Sequence, residues 1–78
     1  MAYAKGMKNN LPLFGPVLRR FRQEKGLSQE ELAALLDISN SHISRMESDL
    51  KIPSLEMVFR LAKALEVKPH ELVKGMEN

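Results

Sequence analysis

Apolar residues recur along this chain at three- and four-residue spacing, the signature of helices with one buried face. Val17, Leu18 and Phe21 follow Pro16, a residue suited to a first helical turn, and Gly26 is placed to end that helix after Lys25. Ser28 stands three residues before Glu31, a reciprocal cap, and opens a second helix with Leu32, Ala33 and Leu36 inward and a stop near Asp37. Ser39 caps a third, short helix carrying Ile43 and Met46 and ending around Ser48. Ser54, after Pro53, caps a fourth with Leu55, Val58, Phe59, Ala62 and Leu65 as its inward stripe, widened by Met57 and Leu61. Pro69 begins a last helix bearing Leu72, Val73 and Met76. The pattern predicts an all-α, five-helix domain over residues 14–78. It is preceded by a flexible arm at residues 1–13, where Gly6, Asn9, Asn10 and Pro12 break any periodicity.

Composition narrows the possibilities further. Seventy-eight residues with 44% hydrophobic and 28% charged content make one small globular domain, too small for an interdomain cleft. Without cysteine there are no disulfides and no thiolate metal sites, so stability must come from helix packing or a partner subunit. No apolar run is long enough to span a membrane, and Met1 to Lys5 lack the core of a secretory signal, so a cytoplasmic location is expected. The net charge is only +2, and the surplus falls on Lys5 and Lys8. A nucleic-acid surface would therefore have to come from arrangement rather than bulk charge.

Such an arrangement exists on the third helix. The connection to it from the second is about as short as a helix-turn-helix requires. Ile43 and Met46 point one way, while Asn40, Ser41, Ser44, Arg45 and Ser48 share the other side. Short hydrogen-bonding side chains suit the major groove, where base edges offer donors and acceptors. A solvated face would have the same pattern. On the first helix Arg22 borders the apolar stripe, and Glu47 lies one turn beyond Ile43 on the third. Each would be costly to bury alone, so they are expected to pair and to set the angle of the third helix; two unrelated surface charges are the competing reading.

The stretch from Leu18 to Ala33 (LRRFRQEKGLSQEELA), with Ile38-Ser39, the ISRME run from Ile43 to Glu47, Pro53-Ser54-Leu55 and the LAKAL run from Leu61, resembles the Cro/repressor-like (Xre-type) helix-turn-helix family. Its compact size is similar to that of restriction-modification controller proteins. The resemblance implies a transcriptional regulator that binds an operator in double-stranded DNA as a homodimer, with the third helix in the major groove. It puts base contacts at Ser39, Asn40, Ser41, Ser44 and Arg45, and phosphate contacts at Gln29 and Lys51. It also makes Arg22 and Glu47 the family's interhelical ion pair. His42, at the edge of the same face, is a candidate phosphate or base contact, and Arg19 a candidate contact to flanking backbone. Self-association is expected through Met57, Leu61, Leu72, Val73 and Met76. Glu30 points outward where resembling regulators touch RNA polymerase, which implies activation as well as repression.

The chain departs from the family at Asp37 and Asp49, where glycine is common. Aspartate tolerates the left-handed conformation, but both residues bring negative charge near DNA, so binding is expected to depend strongly on dimer formation. A catalytic reading finds no support. Ser41 and His42 are helix neighbours whose side chains diverge, no phosphate-binding glycine loop is present, and His42 and His70 have no metal-ligand spacing. No cofactor is expected. The alternative is a protein-interaction module, antitoxin-like or controlled by a partner, using the fourth and fifth helices.

Overall fold

Five helices make up the computed structural model, which describes residues 13–76. They are α1 (Phe14–Glu24), α2 (Gln29–Leu36), α3 (Asn40–Glu47), α4 (Leu55–Leu65) and α5 (Pro69–Gly75), with no strand among the described residues. The expected arm lies outside those residues except for Leu13, which is extended and exposed.

Helix α1 starts at Phe14, two residues earlier than Pro16 suggested. A proline is tolerated there because first-turn amides have no partner within the helix. Phe14 is buried, so the extra turn contributes to the core. Gly15 donates its backbone N–H to Asp49 Oδ1 at 2.8 Å. A Cβ on Gly15 would overlap the carbonyl oxygen of Glu47 and come within 2.8 Å of Asp49 Oδ2. The start of α1 therefore packs backbone to backbone on the end of α3, which only glycine allows.

Local hydrogen bonds delimit the remaining helices. Ser28 Oγ accepts from the Glu31 N–H at 3.0 Å, and Glu31 Oε1 accepts from the Ser28 N–H at 2.8 Å. Ser39 Oγ caps α3 by accepting from His42, and Ser54 Oγ caps α4 by accepting from Met57. Among the described residues the left-handed ones are Gly26, Asp37, Asp49 and Glu66. Glu66 ends α4 at φ 60°, a position at which the sequence offers neither glycine nor asparagine. The Leu36 carbonyl at the end of α2 accepts from Arg60 Nη2 on α4, and Lys25 Nζ donates to Glu66 Oε1, tying the ends of α1 and α4.

Every helix contributes to one core: Leu18 from α1, Leu32 from α2, Ile43 and Met46 from α3, Leu61 from α4 and Leu72 from α5 are all fully buried. This corrects the expected self-association face. Leu61 and Leu72 are covered by their own chain and have no surface left to offer a partner. The inward stripe of α4 is also rotated from the one expected. Leu61, Ala62 and Leu65 are buried and Met57 and Val58 half-buried, whereas Leu55 and Phe59 face outward at 70% and 53% exposure. With eight apolar positions among eleven, α4 could bury either flank, and docking against α2 and α5 selected one.

Leu61→Ala should lower the unfolding free energy by about 2–5 kcal/mol in a urea titration, whereas Phe59→Ala should cost far less. Equal losses would contradict the rotated stripe. Gly15→Ala should cost about 1–3 kcal/mol, because the added methyl forces α1 away from the end of α3; a wild-type urea midpoint would show that this approach is not tight.

Candidate nucleic-acid interface

Helix α3 divides sharply into two sides. Ile43 and Met46 are fully buried and Glu47 is nearly so, while Asn40, Ser41 and Arg45 are exposed and His42 and Ser44 half-buried. At about 100° per residue, Ser41 and Arg45 lie almost opposite the buried set, with Ser44 and His42 on the flanks. Ser39, at the cap, is exposed, and its oxygen already accepts from His42, leaving the hydroxyl proton free to donate. Four of the five base-contact candidates are thus exposed, and Ser44 in part. Lys51 is exposed in the segment between α3 and α4, and Glu30 on α2.

Behind this face lies a buried ion pair. Arg22 Nε donates to Glu47 Oε2 at 2.5 Å and Arg22 Nη2 to Glu47 Oε1 at 3.0 Å, a two-pronged contact from α1 to α3. Arg22 Nη1 donates to the Leu27 carbonyl at 2.8 Å, so the same guanidinium holds the segment leading into α2. The Glu47 side chain has no exposed surface. Burial pushes its carboxyl pKa up, but hydrogen bonds from Arg22, Gln29 and Arg19, together with the Arg22 charge, outweigh that and hold it below the usual carboxylate range. The bond to Glu47 raises Arg22 further above its ordinary value, against the effect of burial.

Two phosphate-contact candidates share this carboxylate, which pattern reasoning did not find. Gln29 Nε2 donates to Glu47 Oε1 at 2.9 Å, and Arg19 Nε to the same oxygen at 3.4 Å. No periodic signal connects positions on three different helices, so only the packing shows it. The Asp49 carboxylate, expected to burden the DNA side, is occupied at the start of α1. Among the described residues no group of three His, Cys, Asp or Glu side chains could hold a metal. An open depression of about 510 Å³ lies on the outer side of α4, lined by Leu55, Glu56, Phe59, Arg60 and Lys63.

Known proteins share this fold. A family model described as "Helix-turn-helix" matches residues 18–72. The control protein C.BamHI of Bacillus amyloliquefaciens is 38% identical over 69 residues, covering 86% of this chain and 85% of that protein. The crystal structure of the restriction-modification controller protein C.AhdI from Aeromonas hydrophila superposes with a TM-score of 0.75 at 41% identity, covering 82% of this chain and 97% of the other. SinR, described as a master regulator for biofilm formation and crystallised in complex with DNA, superposes with a TM-score of 0.71 at 31% identity, covering 77% and 97% of the two chains.

Because Glu47 titrates lower when folded than when unfolded, its contribution to stability is complete above an unfolded carboxyl pKa of about 4.3 and is lost as pH falls through the lower folded value. Glu47→Gln should cost about 3–5 kcal/mol at pH 7 by leaving the Arg22 charge buried and unpaired, and should flatten the acid limb of the stability profile. Urea midpoints measured from pH 7 down to strongly acidic pH test both; a variant profile that follows the wild type would rule out a stabilising role for the Arg22–Glu47 pair.

Proposed function

Because this chain belongs to the helix-turn-helix family of transcriptional regulators, we propose that it binds an inverted-repeat operator as a homodimer, with α3 of each copy in the major groove. The observation that carries this reading is the two-sided α3, whose outward Ser41 and Arg45 are backed by fully buried Ile43 and Met46. Arg45 has the two-pronged geometry that reads guanine, Asn40 the amide that reads adenine, and Ser39, Ser41 and Ser44 accept either partner. Gln29, Lys51, His42 and Arg19 contact phosphates and set register without reading sequence. The similarity to controller proteins over most of both chains supports a controller-type regulator.

Self-association centres on the outward side of α4. Leu55 and Phe59 are exposed apolar residues on the rim of its depression, and they replace Leu61 and Leu72 in the role expected from sequence. Met57, Val73 and Met76 retain accessible surface of their own. Glu30, exposed in the first turn of α2, offers a contact to RNA polymerase that would add activation to repression. No helix of the described residues is long and apolar enough to cross a membrane, in keeping with action on DNA in the cytoplasm.

Selection of bound duplexes from a random pool should return an inverted repeat with half-site centres about one helical turn apart; recovery of no symmetric site would refute the dimeric mode. On that duplex, Arg45→Ala should relax preference at one base pair by about 1–3 kcal/mol, and Lys51→Ala should weaken all sequences alike and lower the salt slope by about 1. A protein-binding module would instead show little response of its complex to salt.

A further inference from the structure

The Glu47 carboxylate has more donors than it needs. Arg22 already neutralises it through two hydrogen bonds, yet Oε1 also accepts from Gln29 Nε2 on α2 and Arg19 Nε on α1. Arg19, Arg22 and Glu47 together leave one positive charge uncompensated, and it resides on Arg19, whose side chain is 52% exposed. Arg19 is held by Nε alone, and neither of its Nη groups makes a hydrogen bond among the described residues. Gln29 likewise uses a single bond to Glu47, so its second amide hydrogen stays free. Two side chains from different helices are thus anchored on one buried oxygen atom, and each keeps donors unused. A net positive, preorganised donor pair of this kind fits an anion with two oxygens.

We infer that Arg19 and Gln29 form one clamp for a single phosphodiester of the DNA backbone, oriented by Glu47 as their common positioning residue. This rests on the DNA-binding reading above and deepens it. The two residues act on the same phosphate rather than on separate ones, and Arg19 acts through the geometry of its guanidinium rather than through charge alone. Arg22 supplies the stability of the cluster, while Arg19 supplies the grip. Only arginine can anchor through Nε and still present a fork; lysine keeps the charge but loses that arrangement.

The test compares wild type, Arg19→Ala, Arg19→Lys and Gln29→Ala on the selected duplex, with methylphosphonate replacing one backbone phosphate at a time. Arg19→Ala should weaken binding about tenfold at moderate salt, and Arg19→Lys nearly as much, with urea midpoints unchanged because Arg22 still neutralises Glu47. The penalties of Arg19→Ala and Gln29→Ala should vanish at the same methylphosphonate position in each half-site. Full binding by Arg19→Lys would reduce the residue to a bare charge, and loss of the two penalties at different phosphates would separate the pair; either result overturns the clamp. If wild type binds with strong salt dependence while Arg19→Ala binds equally well, the clamp alone fails. If wild type binds no duplex at all, the DNA-binding reading fails with it.

Discussion

A carboxylate with no exposed surface must be neutralised by its own protein, and the way Glu47 is neutralised governs the arrangement of the domain. Arg22 reaches it from α1 through two hydrogen bonds and spends its remaining arm on the Leu27 carbonyl. One guanidinium therefore ties together the body of α1, the turn into α2 and the end of α3. The geometry of such a pair is narrow, because both oxygens and both nitrogens must meet in a plane. A helix of eight residues has little stability of its own, so α3 keeps the tilt that this contact and its two apolar anchors impose.

The same economy of space appears at the start of α1. Gly15 lets the backbone of α1 approach the end of α3, and Asp49 turns left-handed to place its carboxylate on the Gly15 amide. Asp49 thereby sets its negative charge against the positive end of α1. Arg60 treats the end of α2 in the opposite sense, supplying a cation to a carbonyl next to the left-handed Asp37. The start of α1 and the end of α2 are thus each closed by a charge from an element distant in sequence. The polar face of α3 can then consist of side chains that have no structural duty, apart from the capping oxygen of Ser39.

Much of this was legible in the chain before any coordinates. Ser28 with Glu31, Ser39 and Ser54 mark helix starts because a cap is a local event involving residues two or three apart. The division of α3 was readable for a similar reason, since Ile43 and Met46 are its only aliphatic side chains and leave one orientation that buries apolar area. Arg22 and Glu47 could be matched because each bordered an apolar stripe and neither could be buried alone. On α4 the same method misassigned both flanks. Its apolar residues cover more than half the circumference, so periodicity places Leu55 and Phe59 inward and leaves the fully buried Leu61 to a partner.

Sequence by itself determined the existence of the helices, the serine caps of three of them, the short connection between α2 and α3, and the identity of the face that α3 turns to solvent, because each depends on interactions within a few residues. Tertiary structure alone decided which flank of α4 is covered, that Gln29 and Arg19 converge on Glu47, and that Asp49 serves α1. Those outcomes depend on the distance between side chains 18 to 34 residues apart, which is set by how the helices close around Leu18, Leu32, Ile43, Leu61 and Leu72. Periodicity carries no information about that distance: it records which side of a helix is apolar, and only the shared core decides what that side meets.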